Sequence, residues 1–201
     1  LKRNLARLLT LKTLQRQLDA FVSLSDTVRA EENRRLLDEV VPDKVPLDLL
    51  HTILRLLLEE QVSIRNLPLI LEAIAEIRGA KLPPEVICEH VRQRLGFQLI
   101  AELKRSDGTL PLIQLSAEWE DVFLRHQIGG DLGRPEIALP PEDFNALARS
   151  VAEKVAAASD KGTYAAVVTT SLRRRFVRTV LQARGISNPV LSFEEIGVEA
   201  K

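Results

Sequence analysis

The chain has no methionine, one cysteine, one tryptophan and one tyrosine among 201 residues, and only 4% of it is aromatic. Each shortage excludes something. With Leu1 first and no Met anywhere, the sequence reads as a piece of a longer protein. The lone Cys88 can close no internal disulfide and build no multi-cysteine metal site, the usage expected of an intracellular protein. Scarce aromatics leave Leu, Ile, Val and Ala to fill the core, which favours helices over a β-sandwich.

Charge of one sign is also missing. Lys and Arg together number 28, as do Asp and Glu, so the formal net charge is zero. A nucleic-acid binder carries a basic surplus, because its affinity comes from many phosphate contacts and the counterions they release. No long apolar run exists either. The greasiest stretch, Leu47 to Leu58, is interrupted by Asp48, His51 and Arg55, and falls short of the roughly 20 apolar residues that span a bilayer. Nothing resembles a signal peptide, so a soluble fragment is expected.

Reactive constellations are absent as well. There is no G-x-x-x-x-G-K, and the glycines at 129–133 lack the strand before and the helix after that a dinucleotide turn needs. His51, His90 and His126 stand far apart without ligand spacing, so each reads as a surface or partly packed histidine. Cys88 reads as inert and buried, and Glu194 with Glu195 as a solvated edge trailing a strand. The expectation is no enzyme, no catalytic residue, no cofactor, no metal and no small-molecule substrate.

What is present is helical periodicity. Leu5, Leu8, Leu9, Leu11, Leu14, Leu18, Phe21 and Val22 recur at three- and four-residue spacing. Asp26 can cap the next helix, which Pro42 and Pro46 bracket at its far end. From Leu47 to Glu60, the residues Leu50, Ile53, Leu54 and Leu57 make one face, while Leu49, Leu56 and Leu58 add apolar area on the others. A helix greasy nearly all round is either a central core helix or one pressed against a neighbouring subunit. Asn66 can cap a further helix that Gly79 ends, and Pro83 and Pro84 open a long one running past Leu95 to Leu99.

After Ser106-Asp107-Gly108 the pattern changes. Short apolar runs at 110–115, 164–168 and 189–193 read as strands, separated by helices that begin near Ala117, Pro141 and Ser171. The segment at 129–133 reads as a flexible connection. Strand, helix, strand is the alternation of a parallel layer. The predicted fold class is therefore α plus α/β: an all-helical subdomain over 1–106, then a small α/β subdomain over 107–201 with a roughly three-stranded sheet.

One basic cluster stands out, Arg173, Arg174, Arg175 and Arg178. On a helix Arg174 and Arg178 share a face, turned away from Phe176, Val177 and Val180. The ordinary reading is a solvated face beside a buried one. The functional readings are a dock for an acidic partner or, against the neutral total charge, a regulatory module binding nucleic acid through Arg173–Arg178.

Three stretches go beyond generic patterning. The run Val62-Ser63-Ile64-Arg65-Asn66-Leu67-Pro68-Leu69-Ile70-Leu71-Glu72-Ala73-Ile74-Ala75-Glu76 resembles the signature of the FHIPEP family. Glu89-His90-Val91-Arg92-Gln93-Arg94-Leu95 is similar to that family's next helix, and Pro189-Val190-Leu191-Ser192-Phe193-Glu194-Glu195-Ile196 to its closing strand and turn. Their order and spacing extend over almost the whole chain. Asn66 stands where the family often has Asp, Pro68 where it often has Arg, and the chain stops soon after the last strand. The resemblance implies the cytosolic portion of a bacterial inner-membrane type III export gate. Flagellar membership is preferred from the Val190–Val198 ending, with the injectisome as the alternative. It implies a nonameric ring of this protein with itself, and docking of export chaperones, their cargo and ATPase-complex components. The candidate subunit or partner contacts are Leu49, Leu56, Leu58, Arg65, Arg174 and Arg178.

Overall fold

The structure is a computed structural model describing residues 5–41, 43–77, 82–129 and 136–197. Pro42 and Gly79, expected to break helices, lie outside these residues, as do positions 130–133 of the expected flexible connection. The chain divides into two compact units, Leu1–Leu95 and Gly96–Lys201.

The regular elements of the first unit, among the described residues, are all helices: α1 (Leu5–Leu8), α2 (Leu11–Val22), α3 (Thr27–Val40), α4 (Leu47–Glu59), α5 (Leu67–Ile77) and α6 (Pro84–Arg94). Asp26 caps α3 as its spacing predicts, its carboxylate accepting from the amides of Val28 and Arg29. The Asn66 carbonyl takes the Ile70 amide at the start of α5. Leu50, Ile53, Leu54 and Leu57 of α4 are at most 1% exposed. Each contributes about 1.5–3 kcal/mol of burial, which makes α4 the central helix of this unit, packed against α1, α2 and α6. The pair Arg92–Glu60 (3.3 Å) joins α6 to the end of α4, with the arginine side chain only 3% exposed.

The helix predicted to run on past Leu95 does not. It stops at Arg94, and α7 (Gly96–Leu103) begins afresh after Leu95. The reason is close packing of backbone. A Cβ at Gly96 would stand on the carbonyl oxygen of Glu195, so only glycine admits this approach. The packing boundary accordingly falls at 95/96, whereas the change of secondary-structure class read from the sequence falls at 106.

The second unit continues with β1 (Leu112–Gln114), α8 (Ala117–Arg125), β2 (Gln127–Ile128), β3 (Glu136–Ile137), α9 (Pro141–Asp160), β4 (Ala166–Thr169), α10 (Ser171–Ala183), β5 (Val190–Ser192) and α11 (Phe193–Ile196). The expected three-stranded sheet is present, parallel, in the order β1-β4-β5, with Ile113 opposite Val167 and Val167 opposite Val190. All four residues of β4 are buried, as suits the middle strand of a parallel layer covered by helices. Phe123, Leu147, Val151, Val167, Val177, Val180, Leu181 and Val190 make the core. Two features escaped the sequence reading: the antiparallel pair β2–β3, and the single-turn α11.

Helix α11 corrects the expectation of a solvated carboxylate pair. Ser192 accepts from the Glu195 amide while the Glu195 carboxylate takes the Ser192 amide (2.8 Å), a capping box that leaves Glu195 3% exposed. Glu194 reaches across to the start of α10, accepting from the Ser171 amide (3.1 Å) and from its hydroxyl (2.8 Å). A carboxylate there satisfies otherwise unpaired amides and meets the positive end of the helix dipole.

Candidate functional site

The six predicted contact residues fall into three groups. On α4, Leu49, Leu56 and Leu58 are half-buried, neither committed to the core nor free of it. Arg65, in the segment before α5, is exposed. The two arginines of α10 have a different fate.

Arg173 and Arg174 are 1% and 0% exposed. The expectation that Arg174 offers itself to a partner is therefore corrected: it is consumed inside its own unit. Its Nη1 donates to the Val190 carbonyl (3.3 Å), at the first residue of β5. Arg178, half-buried one turn later, donates through Nη1 to the Asn188 carbonyl (3.2 Å), and the Asn188 amide group donates to the Ala165 carbonyl (2.8 Å). So the shared face of Arg174 and Arg178 is turned onto backbone, where it pins the entry to β5 beside the entry to β4.

Arg173 looks the other way. Its Nε and Nη2 both donate to Glu120 Oε1 (3.0 and 2.9 Å), and Nη2 also reaches Gln127 Oε1 (3.3 Å). Its guanidinium lies 5.9 Å from the centroid of Phe123, which meets Phe176 edge-on at 5.7 Å. A guanidinium suits this place because it is weakly hydrated and flat, and so bears desolvation better than an ammonium. Burial on this scale removes Arg173 and Arg174 from contact with phosphates and leaves Arg175 as the exposed member of the cluster.

The histidines sit on separate elements with separate partners. His51 Nε2 lies 2.7 Å from the Leu9 carbonyl, His90 Nε2 is 2.8 Å from Glu76, and His126 Nε2 is 3.3 Å from Asp143. Among the described residues no group of three His, Cys, Asp or Glu side chains could hold a metal ion. Cys88 is buried, as its place on α6 predicts. Among the described residues no helix is long and apolar enough to cross a membrane.

Exposed apolar side chains occur in both units. Leu8 (61%), Leu11 (56%) and Val28 (65%) belong to the helical one, Phe97 (64%), Leu124 (55%) and Tyr164 (59%) to the other. The second unit also holds an open hollow of about 350 Å³ between α9 and the turn after α10, lined by Asn145, Ala148, Arg149, Ala152, Arg184 and Ile186. The sequence reading passed over this hollow. Its lining residues on α9 share a stripe at i, i+3, i+4 and i+7, but α9 shows no cluster of charge to draw attention.

Comparison with known proteins bears on the whole chain. The chain is 33% identical over 202 residues to the flagellar biosynthesis protein FlhA of Caulobacter vibrioides, a match covering all of this chain and 27% of the relative. It is 31% identical over 173 residues to a probable translocation protein, y4yR, of Sinorhizobium fredii, covering 86% of this chain and 24% of that one. It thus spans about a quarter of the length of these relatives. Among solved structures, the C-terminal domain of InvA superposes over all of this chain and 57% of its own with a TM-score of 0.79 at 25% identity. The nonameric SctV-C of EPEC shares the fold, with a TM-score of 0.77 at 20% identity over 98% of this chain and 56% of its own. The model of the FHIPEP family matches residues 1–201 from end to end, and the chain belongs to the FHIPEP family.

Proposed function

We propose that this chain is part of the cytosolic portion of a bacterial type III protein-export gate, of the flagellar kind. In that role it assembles with copies of itself into a ring below the inner membrane and docks export chaperones, their cargo and components of the ATPase complex. The single observation that carries the reading is the 33% identity to a flagellar FlhA over the full chain. Two solved structures of the same fold support the assembly and the docking in kind: one is a nonameric SctV-C, the other a CdsV and CdsO complex. The proposal gives the chain no chemistry of its own. Its work is contact, through half-buried apolar side chains such as Leu49, Leu56 and Leu58 and exposed charges such as Arg65. Weak contacts suffice for a ring when tethering in a membrane raises the local concentration of each copy.

A second reading, an injectisome gate, is favoured by the similarity to InvA at 25% identity and to Shigella MxiA at 28% over 187 residues. Replacing these residues in a flagellated relative by the present chain separates the two. Restored filament export supports the flagellar reading. Export that returns only in an injectisome host supports the other, and failure in both hosts by a stable, membrane-inserted protein overturns the proposal.

A further inference from the structure

The hollow in the second unit is built by the way α10 ends. Arg184 is the C-cap of α10, and Gly185 follows at φ 74°. The Ile186 amide then returns to the Leu181 carbonyl (3.0 Å) and the Gly185 amide to the Gln182 carbonyl (3.0 Å). This left-handed turn places Ile186 against a stripe of α9 whose small residues, Ala148 and Ala152, leave space between the two elements. The floor is apolar. Two guanidiniums, Arg149 and Arg184, line the space, with no carboxylate among the lining residues.

Arg184 lies against the first turns of α9. Its guanidinium lies 5.9 Å from the centroid of Phe144 and donates through Nη2 to Asn145 Oδ1. Arg149 is exposed on the same helix stripe. Two cations over an apolar floor match a carboxylate carried on an apolar stem, because charge-assisted bonds to a guanidinium are strong and geometrically selective. The size is informative too. A volume near the lower end of the range for ligand sites admits one or two side chains and no helix.

We infer that this hollow is a docking point for an acidic peptide segment of a partner protein, in which an Asp or Glu flanked by apolar side chains sits between Arg149 and Arg184 over Ala152 and Ile186. The inference deepens the docking role proposed above and rests on it only in that the ligand is a protein segment.

The test uses this chain and a blocked peptide of about eight residues with Leu-Glu-Leu at its centre, followed by amide NMR and calorimetry. The expected result is saturable binding that perturbs Arg149, Ala152 and Ile186. Affinity should fall about tenfold when Gln replaces the central Glu, as loss of a charge-assisted bond implies. Arg149→Glu should abolish binding by reversing the charge. Ala152→Leu should abolish it by filling the floor with every charge retained, and unchanged circular dichroism would show that both variants fold. Binding that ignores both substitutions would overturn the inference. So would equal competition by inorganic phosphate, which would make the site a general anion trap, or displacement of the peptide by self-association of the chain. Any of these results with export still restored in the replacement experiment would sink the docking point and leave the export-gate reading standing.

Discussion

One helix of the helical unit and two of the α/β unit end with the same bonds and different residues. In the helical unit α4 closes when the Val62 amide returns to Leu57 and the Gln61 amide to Leu58, with Gln61 itself left-handed at φ 61°. In the α/β unit α9 and α10 close with the same pair of bonds around Gly162 (φ 67°) and Gly185 (φ 74°). A side chain in that conformation costs about 1–2 kcal/mol that glycine avoids. Buried arginine is also put to wider use in the second unit. Arg92 in the first unit answers a carboxylate, Glu60, on another helix. In the second, Arg173 likewise answers the Glu120 carboxylate, and Arg174 and Arg178 reach in addition main-chain carbonyls at the head of a strand. The contrast follows from architecture. Helices leave backbone carbonyls unpaired only at their ends, as where His51 meets the Leu9 carbonyl, whereas a three-residue parallel strand leaves carbonyls that need donors from elsewhere.

Arg174→Ala should produce the largest loss, about 3–5 kcal/mol, since it empties a fully buried volume and removes a donor to the Val190 carbonyl. The neighbouring Arg175→Ala, at an exposed position, should change stability by less than about 0.5 kcal/mol. Urea unfolding followed by fluorescence of Trp119, which lies in α8 of the same unit, reads both. Similar losses for the two variants would mean that Arg174 is not the internal fastener its burial implies.

Exchanging the turn residues sharpens the comparison further. Gly185→Gln should destabilise by about 1–2 kcal/mol, and Gln61→Gly should stabilise by about 0.5–1 kcal/mol after the added chain entropy of glycine is subtracted. Thermal melts by circular dichroism check the signs. If Gln61→Gly destabilises, the glutamine side chain makes a contact that outweighs its backbone strain.

The smallest effect concerns Asp107, at the turn between α7 and β1. The Thr109 hydroxyl (2.6 Å) and then the Thr109 amide (2.9 Å) hold its carboxyl below the ordinary value of 3.8. A depressed carboxyl stabilises fully above its unfolded value, and that contribution is lost as pH falls through the lower folded one. NMR titration should place Asp107 below 3.8, and Thr109→Val should move it back up.

Much of the fold could be read from residue spacing because its causes are local. The α4 face, the Asp26 cap and the parallel layer follow from periodicity and capping chemistry within a few residues. What was missed has partners far along the chain. Gly96 looks like an ordinary interruption of a helix until the Glu195 carbonyl is known to lie against it. Arg174 looks solvated because it stands in a run of arginines, while its acceptor is at Val190. Glu194 and Glu195 look like a charged tail until one is found closing its own turn and the other capping α10. The family resemblance was visible in three segments, yet it could not tell which arginines face outward. The hollow at Arg149 and Arg184 had no signal in the sequence, since the end of α10 and its turn supply Arg184 and Ile186 from far along the chain.

The most direct measurement is electron microscopy of the full-length protein in detergent, with and without Arg65→Glu and Leu56→Asp. Arg65 is exposed, so its charge reversal should leave the fold intact by circular dichroism. The half-buried Leu56 gives a second variant whose melting temperature shows whether folding survives. The expected result is rings for the parent, and folded protein without rings, together with lost export, for the variants. Rings and export undiminished in both folded variants would contradict a role for these surfaces in assembly.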